Sequence, residues 1–330
     1  TIAWSELPNG AEWYAYLVRY HTTTAMTPDE VHQLGLREVA RIRAEMERVK
    51  DQLGHAGDLR SFFDALRADP MQHFTDPIEL LAGYAAIQAR VDGAMPLLFA
   101  RTPKAGFVIR PFEPFRAASE ASAGYAPGSA DGKRPGVLYV NTHDLPARPR
   151  YAMESLYLHE AIPGHHYQMS LAQEATGLPR VRRFAYDTAY GEGWALYAET
   201  LGRDLGLYAD GYSWFGALSA EMWRAVRLVV DTGIHSQGWS REKAIEYFRA
   251  NTAMADADIA AEVERYIAWP GQALAYKVGQ LKIMELRRRA QAKLGARFDI
   301  RAFHEQVAGG GSLPLAVLEK KIDRWIAAQL

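Results

Sequence analysis

Apolar residues recur at helical spacing through most of the chain. Residues 10–52 follow this pattern, and the run VHQLGLREVARIRAEMERVKDQL at 31–53 repeats its apolar positions with a period of about 3.6 residues. The preceding TPDE at 27–30 is typical of a helix start, with a capping residue, a proline at the first helical position and acidic residues in the first turn. Asp76-Pro77 predicts the start of another amphipathic helix.

The pattern changes between residues 105 and 145. GFVIRPF at 106–112 and GVLYVNT at 136–142 are typical of strands, and the Gly- and Pro-rich stretch APGSADGKRPG between them predicts a loop. After residue 150 the helical pattern resumes, with breaks at 177–179, 210–211, 238–240, 270–271 and 309–311. We therefore predict one mainly α domain over 1–330, helical over 1–104, with a small sheet at 105–145 and helices from 150 to 330.

The amino-acid composition argues against several functions and limits the possible metal ligands. The net charge is −1, hydrophobic residues make up 48% and charged residues 23%, and acids and bases are interspersed, so neither a nucleic-acid surface nor a polybasic membrane anchor is expected. No apolar run reaches the roughly 18 residues that a membrane span needs. There are no cysteines, so a transition metal would have to be bound by His, Asp or Glu. Because the chain starts at Thr1, we interpret it as a processed product or a fragment.

The stretch YLHEAIPGHHYQ at 157–168 resembles an interrupted zinc-protease helix. His159 and Glu160 match the start of HExxH, but Pro163 occupies the position of the second histidine, and His165 and His166 follow. In a regular helix, His165 would lie about 120° out of phase with His159. His166 would lie about 10.5 Å further along the axis. Neither could share a metal with His159 unless the helix is interrupted.

Pro163 and Gly164 predict such an interruption. A proline inside a helix cannot donate a backbone hydrogen bond and its ring clashes with the preceding turn, while glycine permits backbone angles closed to other residues. We expect a bulge or short unwound step that brings His165, or alternatively His166, to the metal. His159-Glu160 could also be a chance dipeptide, with the two later histidines at a solvated helix end.

A second segment, AYDTAYGEGWALYAETLG at 185–202, supplies an acidic candidate. Glu192 stands between two glycines and opens a helical apolar pattern, and the glycines would let this helix approach its neighbour closely. Glu192 is the predicted third metal ligand. Glu199, seven residues later on the same face, could hydrogen-bond a ligand histidine. Both could instead be ordinary solvent-facing acids.

Together, HEAIPGHHYQ and GEGWALYAE resemble a bacterial family catalogued as a domain of unknown function and grouped with the zincin-like metallopeptidases. Four further segments also resemble parts of that family in the same order, so the resemblance covers nearly the whole chain: YLVRYHTTTAMTPDEVHQLGLREVARIRAEM, RPGVLYVNT, VVDTGIHSQGW and ERYIAWPGQALAYKVGQLKIMELR. Because such proteins extend further at the N-terminus, the chain resembles a C-terminal portion. The resemblance implies a zincin-like helical metallopeptidase fold, distantly similar to angiotensin-converting enzyme and helical metallocarboxypeptidases, with the sheet beside the active-site helix.

The resemblance also implies roles for individual residues. His159, His165 (or His166) and Glu192 would bind Zn²⁺, and Glu160 would be the general base. By positional analogy, His235 and Tyr276 would stabilise an oxyanion, although His235 could be a buried histidine held by Asp231 and Tyr276 a core tyrosine. Arg287 or Lys277 would bind the C-terminal carboxylate of the substrate. Either residue could instead be an ordinary surface charge.

We therefore expect zinc-dependent hydrolysis of short peptides, with an extended peptide along the GVLYVNT strand if that strand is not simply part of the core. One alternative is a catalytically silent binding protein that keeps the zincin architecture, and another is a hydrolase of a non-peptide amide or ester. The sequence does not determine the oligomeric state or the compartment. Export signals in similar proteins favour an extracytoplasmic, periplasmic location.

Overall fold

The computed structural model describes residues 2–330. The strands are β1 (Phe107–Pro111), β2 (Ala123–Ala126) and β3 (Gly136–Val140). The helices are α1 (Gly10–Thr22), α2 (Pro28–Gln52), α3 (Leu59–Ala68), α4 (Pro77–Leu98), α5 (Pro114–Ala117), α6 (Met153–Glu160), α7 (His165–Glu174), α8 (Arg180–Phe184), α9 (Thr188–Glu199), α10 (Gly211–Gln237), α11 (Arg241–Asn251), α12 (Asp256–Ala268), α13 (Ala275–Leu294), α14 (Ile300–Ala308) and α15 (Leu315–Gln329). The prediction of a mainly α chain with a small sheet is confirmed.

Helix starts follow the capping chemistry in the sequence. Thr27 accepts a hydrogen bond from the Glu30 backbone N–H, and the Glu30 side chain accepts one from the Thr27 backbone, which completes a capping box for α2. The Asp76 side chain accepts a hydrogen bond from the Ile78 backbone N–H and so caps α4, with Pro77 at the first helical position. None of the helices in residues 2–330 is both long enough and apolar enough to cross a membrane.

Helix α10 lies at the centre of the fold. Eighteen of its residues are buried, so it is covered on nearly every side, and it packs against α2, α6 and α11. Helix α9 is also buried along most of its length and packs between α6 and α13. These central helices contribute side chains to the candidate site described below.

The sheet has the order β1-β3-β2, with β1 parallel and β2 antiparallel to β3. GVLYVNT therefore forms the central strand, whose two edges are both paired, so it is a core strand and offers no free edge to a peptide. The sequence did not predict β2, because its AGYA segment is rich in small residues with low strand propensity. β2 contacts both α6 and α7, which places the sheet beside the HE-containing helix as predicted.

His304 joins α14 to the core through two buried hydrogen bonds. Its Nδ1 donates to the Leu98 carbonyl and its Nε2 accepts from the Tyr197 hydroxyl, each at 2.8 Å. Burial lowers the pKa of His304 to about 3. The ring is therefore neutral in the folded protein at any pH above about 3.

This histidine predicts an acid-sensitive component of stability. Its unfolded pKa is about 6.5, so below that pH the unfolded chain binds one more proton and the free energy of unfolding decreases as the pH falls toward 3. In equilibrium unfolding between pH 7 and 4, His304→Asn should show a shallower loss of stability than wild type. The exposed-site variant His143→Asn should follow wild type. Parallel curves for wild type and His304→Asn would contradict this assignment.

Candidate metal centre

The HEAIPGHH segment forms two helices joined by a buried bend. Helix α6 ends at Glu160, residues 161–164 turn, and α7 begins at His165. The Ile162–Pro163 peptide is cis. The Trp194 indole donates a 2.8 Å hydrogen bond to the Pro163 carbonyl and so attaches the bend to α9. The predicted interruption is present, as a complete break between two helices.

Gly164 is required by close packing. Its φ is −73°, so a left-handed conformation does not explain the glycine. A Cβ atom at this position would lie 1.9 Å from the His159 carbonyl oxygen and 2.3 Å from that of Leu158. The absence of a side chain therefore lets the start of α7 fold back against the end of α6.

This bend brings His159, His165 and Glu192 together. One ligand atom from each lies within 4.8 Å of the other two. Glu192 Oε2 is 3.5 Å from His159 Nε2 and 3.3 Å from His165 Nε2. Ligand atoms about 2.1 Å from a tetrahedral metal are separated by about 3.4 Å, so both spacings suit a shared ion. They are long for direct hydrogen bonds.

Glu199 orients the first histidine. Its Oε1 accepts a 2.7 Å hydrogen bond from His159 Nδ1, and its Oε2 accepts one from the Ser155 hydroxyl. This arrangement leaves His159 Nε2 directed at Glu192, as in the carboxylate–histidine pairs of metal sites. Glu199 is 4% exposed, so the predicted contact to a ligand histidine is present and a solvent-facing role is not.

The electrostatics of the cluster favour a bound cation. Burial alone would raise the pKa of the Glu192 carboxyl, but the adjacent His165 and His159 hold that pKa well below its usual value. Burial alone would lower the pKa of His159, but Glu192 and Glu199 raise it to about 9. A proton therefore occupies His159 at neutral pH in the metal-free site. A divalent cation could replace that proton between the same groups.

His166 lies outside the cluster. Its Nδ1 is 2.9 Å from the Tyr125 hydroxyl of β2, and its ring packs on Phe107 of β1. Burial lowers the pKa of His166 to about 4, as expected for a neutral ring packed against the sheet. Of the two alternatives, His165 is the histidine that the structure brings to His159.

The two glycines that flank Glu192 on α9 are both in close contact with neighbouring residues. One of these neighbours is Tyr186, which was not predicted from the sequence as a site residue. A Cβ on Gly193 would lie 2.5 Å from the Gly279 backbone, so α9 and α13 touch through these glycines, as the flanking glycines predicted. Gly191 instead makes room for the ring of Tyr186, whose hydroxyl donates a 2.8 Å hydrogen bond to Glu192 Oε1. Tyr186 precedes α9, where no periodic pattern could indicate its direction.

Two other predicted residues lie beside the cluster. The Tyr276 ring lies nearly parallel to the His159 ring, with 6.4 Å between centroids, and the Arg227 guanidinium covers it at 4.4 Å. Burial and the negative Glu192 raise the pKa of Tyr276. Glu160 follows His159 directly, and its charge adds to the rise in the pKa of Tyr186, which is caused chiefly by burial and by Glu192.

His235 is placed elsewhere in the core. Its Nε2 is 2.9 Å from the Tyr266 carbonyl, its Nδ1 accepts from the Trp4 backbone N–H, and its ring packs on Tyr14. Both ring nitrogens are therefore committed to the main chain. Asp231 bonds Tyr14 and the Gly271 backbone instead of His235. His235 is accordingly not retained as an oxyanion donor.

The two predicted carboxylate-binding cations are also engaged away from the cluster. Lys277 is fully buried, and its Nζ lies 2.6 Å from Glu221 and 3.0 Å from Glu38. Arg287 donates to the Tyr197 hydroxyl at 3.2 Å. Lys277 is thus part of a buried ion-pair network, which neither the substrate-binding nor the surface interpretation anticipated.

The close packing at Gly164 gives a direct test of the bend. Gly164→Ala should lower the unfolding temperature by roughly 3–10 °C, because overpacking against backbone costs about 1–3 kcal/mol. Gly177→Ala is the matched control, since a Cβ there meets nothing within 4 Å. Thermal unfolding followed by circular dichroism measures both. Equal unfolding temperatures for the two variants would show that the segment does not pack this way.

Known proteins share this architecture. A search of curated proteins found no match. The crystal structure of a "putative lipoprotein" from Colwellia psychrerythraea is 38% identical, with a TM-score of 0.96 over 99% of this chain and 57% of that one. A "putative lipoprotein of unknown function" from Shewanella oneidensis, 21% identical, has the same fold, with a TM-score of 0.79 over 96% of this chain and 60% of that one. The chain thus spans less than two thirds of either relative.

The family-level match covers almost the whole chain. Residues 2–322 match the model of a family described as bacterial protein of unknown function (DUF885). The matched range includes the bend at 161–164, both histidines of the cluster and all of α9. The chain belongs to this DUF885 family of bacterial proteins.

Proposed function

We propose that this chain carries the active site of a zinc-dependent peptidase of the zincin-like, glutamate-ligand type, acting on short peptides. The observation that carries the proposal is the spacing of Glu192 Oε2 from the two histidine Nε2 atoms, 3.3 and 3.5 Å. Two histidines and a glutamate are a common ligand set of catalytic zinc, which keeps a fourth position open.

The neighbouring residues have the chemistry that such a reaction needs. A zinc ion in this site would polarise the scissile carbonyl and lower the pKa of a water molecule. Glu160 follows the ligand His159 at the end of α6, and in our proposal it takes the proton of the attacking water and delivers it to the leaving amine. Glu199 holds the tautomer of His159 that directs Nε2 to the cluster.

Tyrosines take the role first considered for His235. Burial and Glu192 raise the pKa values of Tyr186 and Tyr276, so both hydroxyls stay protonated at neutral pH and can donate hydrogen bonds. We propose that one or both stabilise the developing oxyanion. The Tyr186 hydroxyl donates its single proton to Glu192. The Tyr276 hydroxyl accepts from Gln272 and keeps its own proton available, so Tyr276 is the better placed of the two.

The location of the protein is a separate proposal. Two relatives of known structure carry the description "putative lipoprotein", and a lipid-anchored bacterial protein acts outside the cytoplasm. We propose an extracytoplasmic location for this protein as well.

Metal analysis combined with one substitution tests the mechanism. Purified protein should contain about one zinc per chain, and Glu160→Gln should keep that zinc but lose roughly 10²- to 10⁴-fold in kcat/KM on short peptides. Glu246→Gln, which alters an exposed glutamate of α11, should behave as wild type.

The outcomes also separate the rival functions. Stoichiometric zinc without cleavage of peptides, amides or esters would identify a silent binding protein. Cleavage of esters or non-peptide amides, without cleavage of peptides, would identify a hydrolase of non-peptide substrates. Unchanged peptide cleavage by Glu160→Gln would contradict the proposed general base.

The role of Glu199 predicts a change in metal affinity. Glu199→Gln should weaken zinc binding by about 10- to 100-fold, because the amide is a poorer acceptor for the His159 N–H. Competition with a chromophoric chelator measures this. Glu154→Gln alters a half-buried glutamate of the same helix as His159, bonded to Arg90, and should leave the affinity unchanged. If Glu199→Gln binds zinc as tightly as wild type, the hydrogen bond does not support the site.

A further inference from the structure

A large cavity lies along the helix that carries His159. Its volume is about 630 Å³, within the range of small-ligand sites, and its lining includes Ala152, Ser155 and Leu156 of the α6 region together with Glu199. Positions three and four apart share a helix face. The face of α6 that borders the cavity leads, one turn on, to His159 and Glu160, although these two residues do not themselves line it.

Arg224 of α10 lines the same cavity with most of its hydrogen-bonding capacity unused. Its side chain is buried, yet among the described residues its Nε has no hydrogen-bond partner and Nη1 bonds only the Ala220 carbonyl of its own helix. Its Nη2 is 3.6 Å from Glu199 Oε1, too long for a hydrogen bond. The Ser219 hydroxyl, which also lines the cavity, likewise has no partner within residues 2–330.

The surrounding charges leave this arginine without a full counter-ion. Glu199 already bonds His159 and Ser155. Glu262, the other carboxylate on this wall, bonds Arg227, Arg265 and the Tyr266 hydroxyl. Arg227 and Arg265 therefore both hydrogen-bond Glu262, whereas Arg224 hydrogen-bonds no carboxylate among the described residues. Asp258, Asp144 and Glu120 also line the cavity, as do Arg148 and Arg67; Asp258 lies near Arg148, and Glu120 pairs with Arg116.

Arg224 is also close to the candidate metal centre. Glu199 Oε1 lies 2.7 Å from His159 Nδ1 and 3.6 Å from Arg224 Nη2, so a single carboxylate oxygen separates the ligand histidine from the guanidinium. An extended peptide advances about 3.3–3.6 Å per residue. The metal would bind Nε2, on the other side of the His159 ring, so a carbonyl at the metal and a carboxylate bound by Arg224 would be separated by roughly one or two extended residues.

We propose that Arg224 binds the C-terminal carboxylate of the substrate, with Ser219 as a second donor, and that the enzyme cleaves one or two residues from the carboxyl end. The proposal rests on the proposed peptidase function and adds the substrate class. Guanidinium groups bind carboxylates in paired hydrogen bonds, which fits the donors that Arg224 leaves free. The unpaired guanidinium donors favour a carboxylate over a neutral amide at the chain end.

The first experiment compares two chain ends on the zinc-loaded wild-type protein. Acetyl-tetra-alanine with a free carboxylate should be cleaved with a kcat/KM roughly 10- to 100-fold higher than its C-terminal amide. Mass spectrometry should place cleavage one or two residues from the end. Equal rates, or cleavage further inside, would overturn the carboxylate site and leave the peptidase function standing.

Substitutions identify the residue responsible. Arg224→Gln should reduce the acid-to-amide ratio to about one, mainly by raising KM for the free acid. Arg203→Gln is the control, because Arg203 stacks on Trp214 as Arg224 does on Trp223 but does not line the cavity. An unchanged ratio in a folded Arg224→Gln protein would overturn the assignment. If Arg224→Gln does not fold, the carboxylate site is tested by two other measurements. These are the acid-to-amide ratio of Ser219→Ala, which should fall, and the same ratio for the wild-type protein.

A binding measurement separates failure of this inference from failure of the proposed function. Titration calorimetry on zinc-loaded Glu160→Gln needs no turnover. The free acid should bind about 10-fold or more tightly than the amide, even if wild type cleaves neither peptide and the peptidase proposal fails. Equal affinities, or no binding of either peptide, would overturn the carboxylate site.

Discussion

The hydrogen bond between Nδ1 of His159 and Glu199 determines how the site is arranged. It joins α6 to α9 in the buried interior, at 2.7 Å, and it keeps a proton on Nδ1 of His159. With Nδ1 donating, Nε2 is free to meet Glu192 and His165. The same carboxylate lies against Arg224 of α10, so the three central helices converge on Glu199. Removal of its charge would leave the histidine and the arginine without their shared partner.

Close backbone contact is the second constraint on the site. Gly164 lets α7 fold back on α6, the Gly193–Gly279 contact brings α9 against α13, and Gly191 admits the Tyr186 ring. Each glycine sits where even a methyl group would meet atoms at about 2.5 Å or less. His159, His165 and Glu192 are consequently positioned by closely packed main chain and not by flexible loops. Such rigidity suits a site that must keep three ligand atoms about 3.4 Å apart.

Sequence reasoning succeeded where chemistry is local. The capping residues located α2 and α4, and Pro163-Gly164 located the break between α6 and α7. The predictions were less accurate where the direction of a side chain depends on packing against residues far away in the sequence. His235 and Lys277 have suitable chemistry and order, but both point into other parts of the core, where Tyr266 and Glu221 bind them. Tyr186 and Arg224 reach the site from a loop and from a helix that is buried nearly all round, so periodicity could not single them out.

We propose that three side chains from α6, α7 and α9 share one zinc ion. Crystals grown with zinc and measured on both sides of the zinc absorption edge test it most directly. We expect one anomalous peak about 2.0–2.2 Å from His159 Nε2, His165 Nε2 and Glu192 Oε2, with His166 still in contact with the Tyr125 hydroxyl. A peak bound by His166, or no peak at this cluster with zinc in excess, would contradict it.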